Sequence, residues 1–240
     1  MSANSYVFTQ GMAATRGTLQ RWNEAPWKAL RGWLGLSLAI AIALLAATWA
    51  VAAAIQPDLT VFEIPGISGE ADLGNVAGIL YRNSFVLALH ATACLAGFIA
   101  GASMPIAAAQ RTGFSRWVHV RAAQFAMVFV TAVTVVSLVT QAWALGFQGS
   151  TIAFQVGISP AELVLSVFPH AVPELVALFL PLAAWLIASR RGDWDQLLAA
   201  TFVTVVIAIP VLIASAFIEV FVWPDVMQAL GATDPDPWAR

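Results

Sequence analysis

From Trp33 to Ile55 the chain carries no charged side chain at all. A helix needs about 20 mostly apolar residues to cross a hydrocarbon core of roughly 30 Å, and this run is long enough. Four further runs meet the same requirement: about Ser84 to Ala109, Ala122 to Phe147, Leu163 to Ser189 and Leu197 to Val222. None alternates with the period of two that a membrane β-strand shows, which excludes a β-barrel. The expected fold is therefore all-α, a polytopic bundle of five transmembrane helices. Composition agrees: of 240 residues, 60% are hydrophobic and 10% charged, too few charges to cover a soluble surface. The twelve prolines and sixteen glycines fall inside apolar runs as well as between them, as membrane helices tolerate.

Composition also excludes functions. A formal net charge of −2 offers no bulk basic surface, so no nucleic-acid partner is expected. The single cysteine, Cys94, permits neither an intrachain disulfide nor a cysteine-based zinc cluster. No phosphate-binding loop, GxSxG or nucleotide fingerprint occurs, and an enzyme is not expected. The first span begins more than thirty residues in, is too long for a signal-peptide core and lacks a clear cleavage site, so it reads as a retained helix.

Orientation follows from the basic residues. Arg16, Arg21, Lys28, Arg31, Arg111, Arg116, Arg121, Arg190 and Arg191 fall on one side of the five spans, against Arg82 and Arg240 on the other. The second side collects Asp58, Glu63, Glu70, Asp72, Glu162, Asp225, Asp234 and Asp236. Basic residues stay in the cytoplasm, which predicts the N-terminus inside and the C-terminus outside, in a bacterial cytoplasmic membrane. Residues 1–32 then form a cytoplasmic interfacial segment, 33–223 the transmembrane domain and 224–240 an extracytoplasmic tail. Leu19, Trp22, Trp27, Leu30 and Trp33 recur at helical spacing among Arg21, Lys28 and Arg31, as in a basic amphipathic helix on a lipid surface or a simple anchor for the first span. Pro26 is a place where a new helix could begin.

The outer segments are apolar for loops. Gln56 to Tyr81 sets Val61, Phe62, Ile64 and Ile67 among Pro57, Pro65, Gly66, Gly69 and Gly74, which suggests a compact cap or a re-entrant piece. Gln148 to Glu162 is expected as a second loop, closed by Ser159-Pro160-Ala161-Glu162, a capping box with a first-turn proline.

Polar groups inside the spans narrow the search for a site, because each is expensive in hydrocarbon. They are Asn83 and His90 in the second span, His170 and Glu174 in the fourth and Glu219 in the fifth. His170 and Glu174 are four apart, so they share a helix face. Pro169 and Pro173 flank them, and Pro173 cannot donate to the Pro169 carbonyl, which predicts a kink; Pro181 adds a second expected break. At 1.5 Å per residue, His170 lies about 10 Å and Glu174 about 16 Å below the outer entry. All the titratable groups thus fall in the outer half of the bilayer, as one outward-facing site would require.

Three uses remain open. The groups could pair with one another to lock helix packing. They could relay protons or pass ions. His90, His170, Glu174 and Glu219 could also ligate a divalent metal, although neither HExxH nor paired Glu-x-x-His is present; otherwise no cofactor is expected. Ala93, Gly97 and Gly101, each four apart, form a small-residue stripe for close helix approach, in a homodimer or within the chain. Thr131, Thr134, Ser137, Thr140 and Gln141 give the third span a polar stripe expected to face the bundle. Cys94 reads as a small apolar residue, and His119, in a basic inner loop, as a headgroup contact.

Pro169-His170-Ala171-Val172-Pro173-Glu174-Leu175-Val176-Ala177 resembles the Pro-His-Gly-x-x-Glu-Leu-x-Ala block of the stage II sporulation protein M family. Asn83, ahead of Gly97 and Gly101, resembles that family's Asn-led second span, and Ile218-Glu219-Val220 followed by Trp223-Pro224 its closing Ile-Glu-x…Thr-Pro segment. The resemblance covers roughly Tyr81 to Asp225. Ala171 stands where the family has glycine, and Trp223 where it tends to have threonine. The resemblance implies an envelope-associated membrane protein that works with protein partners, and it singles out His170, Glu174 and Glu219. The function expected is that of a non-enzymatic scaffold or permease-like subunit in envelope remodelling, with a proton-coupled transporter or channel and a metal-binding protein as alternatives.

Overall fold

The computed structural model describes residues 3–58 and 60–233, with side chains from Met12 onward apart from Leu59 and Ala123. Among these residues the secondary structure is helical, and an isolated bridge between Pro65 and Gly69 closes a turn. The helices are α1 (Ala3–Glu24), α2 (Pro26–Ala54), α3 (Leu73–Phe98), α4 (Met104–Ala108), α5 (Gly113–Val156), α6 (Pro160–Arg191), α7 (Leu197–Phe221) and α8 (Trp223–Ala229). A π-helical stretch, Ile99–Ser103, joins α3 to α4. Five stretches are long and apolar enough to cross a membrane: Pro26–Ala54, Leu73–Ala108, Gln124–Val156, Pro160–Arg191 and Trp194–Phe221. Their number and order are those of the apolar runs.

The ends differ, for a physical reason. Hydropathy marks where a helix is apolar, whereas the backbone ladder continues wherever the chain permits it. The first span starts at Pro26, where the missing N–H falls among the unpaired donors of a first turn, so no helix end separates residues 32 and 33. Arg116, His119 and Arg121 lie on α5 rather than in a loop, and His119 Nδ1 is 2.7 Å from the Ser115 carbonyl. The expected outer loop from Gln148 is helical to Val156. Gly157, at φ 77°, ends α5, with Ile158 N–H donating to Ala153 O and Gly157 N–H to Phe154 O, a Schellman closure. The capping box then opens α6: Ser159 N–H donates to Glu162 Oε2 at 2.7 Å and Glu162 N–H to Ser159 Oγ at 3.2 Å. α6 continues through Pro169, Pro173 and Pro181, so these prolines do not break it; the helical register changes instead at Ile99–Ser103. Part of the predicted tail is α8, while Asp234, Asp236 and Arg240 lie outside the described residues.

The chain forms two compact units. The first takes the residues up to Ser37, Phe85–Thr134 and Ala177–Ala208. Its core is Trp33, Leu180, Ala183, Ala184 and Ala200, with Trp22 and Leu30 packed against them. Gly97 and Gly101 belong to this unit and bring their helix against Trp185, Leu197 and Trp194. The small-residue stripe is thus occupied within the chain.

The second unit takes Leu38–Ser84, Val135–Val176 and the residues from Ile209 onward. Val76, Ile79, Ala216 and Val220 form one cluster, and Ile64, Val156, Leu163 and Met227 belong to another. The segment after α2 is tied to α5. Asp58 N–H donates to Thr151 Oγ1, and the Gln155 amide takes both the N–H and the carbonyl of Phe62, at 2.9 and 2.7 Å. The polar stripe on α5 is divided: Thr131 and Thr140 are exposed, whereas Thr134, Ser137 and Gln141 are half-buried; Thr140 donates back to Val136 O, and Gln141 donates to Ser137 Oγ on the same helix.

Candidate functional site

The second unit brings together residues from four helices. Arg82 and Asn83 come from α3, Ser166, His170 and Glu174 from α6, and Glu219 from α7, with Trp223 at the start of α8. Spacings of four put Ser166, His170 and Glu174 on one stripe of α6. Glu219 lies within electrostatic range of Glu174, and Arg82 within range of both. Asn83 approaches the Glu174 side chain. Two half-buried carboxyl groups and a half-buried amide thus share a neighbourhood with an exposed guanidinium.

The hydrogen bonding among these groups is incomplete. Asn83 Nδ2, Glu174 Oε2 and His170 Nδ1 are buried and lack a hydrogen-bond partner among the described residues. Buried polar atoms are nearly always paired, because leaving one unpaired costs about 1–3 kcal/mol. Thr48 Oγ1 in the same unit is unpaired as well, but Asn83, His170 and Glu174 are the ones that sit with other titratable or amide groups, where hydrogen-bonding capacity is left open. His170, only 6% exposed, turns its ring edge-on to Trp223, with centroids 5.7 Å apart. Trp223 is fixed in turn: its Nε1–H donates to Ser166 Oγ at 2.9 Å, and Ser166 Oγ donates to Leu163 O at 2.7 Å.

His90 belongs to the first unit and has its own partners. Its Nδ1 lies 2.8 Å from the Leu178 carbonyl, and its ring is 5.5 Å from that of Phe179. It is a satisfied core histidine. Among the described residues no three His, Cys, Asp or Glu side chains gather as a metal ion needs.

No family model, curated protein or solved structure matches the chain.

The chemistry of the site therefore rests on its own atoms. The carboxyls can accept hydrogen bonds, the amide can donate as well as accept, and Arg82 moderates the negative charge. Such a set can hold a polar group or exchange a proton. Sequence reasoning reached Asn83, His170, Glu174 and Glu219 but missed Arg82, Ser166 and the positioning role of Trp223. Two signals were present: Arg82 adjoins Asn83, and Ser166 precedes His170 by four.

Proposed function

We propose that this chain is a non-enzymatic multi-pass subunit of a bacterial cytoplasmic membrane, a scaffold or permease-like component in cell-envelope remodelling. In this reading the site around Asn83, Glu174 and Glu219 receives a polar group from a ligand or a partner protein. The observation that carries it is the set of buried atoms without a full hydrogen bond, Asn83 Nδ2, Glu174 Oε2 and His170 Nδ1. The resemblance of the Pro169–Ala177 block supports the envelope assignment, and the one-sided basic residues support the N-terminus inside. The test is co-purification of the tagged chain from native membranes. An envelope or cell-wall protein should be recovered with the wild type and lost with Glu174→Ala. Recovery of no such partner overturns the scaffold.

Proton-coupled transport is the second reading, favoured by the closeness of Glu174 and Glu219. In liposomes Glu174→Gln should then abolish a pH-dependent flux that the wild type shows. A wild type without flux ends that reading.

A further inference from the structure

Two hollows in the first unit share a wall. One is an apolar groove of about 1070 Å³ where Leu19 of α1, Leu30 of α2 and Leu198 and Val203 of α7 meet Trp22 and Trp33. Its volume is at the top of the range in which small-molecule pockets fall, roughly 300–1,000 Å³. The other, of about 270 Å³, is lined by Lys28, Arg31, Arg191, Asp193 and Gln196, and again by Trp22 and Trp33. The two tryptophan rings pack edge to face with centroids 5.0 Å apart and form the partition. Trp33 is buried within the core of the unit, so the partition is fixed.

Charge and polarity differ sharply across this wall. In the smaller hollow three cationic side chains face one carboxylate, Asp193. Lys28 and Arg31 lie in the first two turns of α2, where the helix dipole also favours an anion. In the larger groove Arg16 is the one charged side chain among the described residues that line it. A ligand that fills both must carry long apolar chains joined closely to a small anionic head. The surrounding chain has five helices apolar enough to span a bilayer, so such amphiphiles are its solvent. Basic hollows between membrane helices suit phospholipid phosphates.

We infer that these hollows are one site for an anionic glycerophospholipid, with its acyl chains along the apolar groove and its phosphate at Lys28, Arg31 and Arg191. The inference is independent of the proposed envelope function and uses neither the acidic pair nor His170. It gives the N-terminal helix a purpose beyond anchoring: α1 supplies one wall of the lipid groove.

Native mass spectrometry of the full chain in a nonionic detergent tests it. With phosphatidylglycerol and phosphatidylcholine of matched acyl chains, one phosphatidylglycerol should remain bound at least tenfold more tightly. A Lys28→Gln/Arg31→Gln double variant should lose about 25-fold of that affinity, about fivefold per charge, and Arg191→Gln alone about fivefold. Unchanged circular dichroism and an unchanged lipid-free Tm show that the variants are folded. Glycerol 3-phosphate, which has the head without the chains, should not compete. Equal retention of the two lipids, undiminished phosphatidylglycerol binding by the folded variants, or competition by glycerol 3-phosphate would each overturn the site.

Discussion

Gly97 is constrained by what a side chain would strike. A Cβ there would lie 2.7 Å from Trp185 Nε1 and 2.8 Å from Leu197 Cδ1, and both residues are fully buried, so neither can retreat. Gly97→Ala should cost about 1–3 kcal/mol as overpacking, seen as a lower Tm in detergent. Gly78→Ala is the control: nothing lies within 4 Å of that position, and the better helix former should leave Tm unchanged or raise it. Cys94 is equally enclosed, with no exposed surface and its Sγ 3.2 Å from the Pro181 carbonyl. A maleimide should leave it unlabelled in the folded protein and label it fully in SDS; rapid labelling without SDS would contradict this burial. At this scale the sequence exposes expense but not satisfaction. Glu174 and Glu219 are conspicuous because charge is rare in hydrocarbon. His90 was equally conspicuous, yet its partner is the Leu178 carbonyl, a contact between residues far apart in sequence that no local pattern records. For the same reason Arg82, exposed and counted only as an outer basic residue, gave no sign that it lies within range of both acids.

Among the elements, local ones were the most legible. The Ser159–Glu162 box closes within four residues, so its residues alone predict both hydrogen bonds. The end of α5 was not legible, because Ile152, Ala153, Phe154 and Val156 read identically as an apolar loop and as a helix packed under a cap. The cap itself was half legible: Phe62, Ile64 and Ile67 announced burial, though Val61, equally apolar, is exposed, and nothing announced Gln155 as the side chain that clamps Phe62. That clamp yields a prediction. Gln155→Leu removes both the acceptor of Phe62 N–H and the donor to its carbonyl, leaving two backbone groups unpaired. Hydrogen exchange of the segment just after α2 should rise by about tenfold, as loss of roughly 1.4 kcal/mol of local protection implies. The exchange of α6 should stay as slow as in the wild type. Equal acceleration in both would mean that the cap is not a separate stabilising element. The π-helical stretch at Ile99–Ser103 carried no sequence signal beyond Gly101 and Pro105, two residues that also sit in ordinary membrane helices.

For the whole molecule, the five apolar runs were legible because the requirement they meet is set by the solvent, not by packing. Length and hydropathy decide whether a helix can cross, and the five candidate spans appear in the structure in the expected order. What those properties leave open is how much of each span is covered by protein. In the most apolar window of α6, 56% of the residues are buried, against 6% in that of α5, although both windows have a mean hydropathy of 2.0. Orientation is a separate matter, decided by the loops. Nine of the eleven basic residues fall on one side of the predicted spans, and the orientation we propose, with that side inward, rests on retention of Lys and Arg in the cytoplasm. Glu70 and Thr112 are both exposed, and a single spanning stretch, Leu73–Ala108, lies between them. In a Cys94→Ser background, Glu70→Cys should react with a membrane-impermeant maleimide in intact cells, whereas Thr112→Cys should react only after permeabilisation. The reverse pattern would invert the orientation and move the acidic pair toward the inner leaflet. Labelling of both in intact cells would mean that Leu73–Ala108 does not cross, since one crossing must put its two ends on opposite sides.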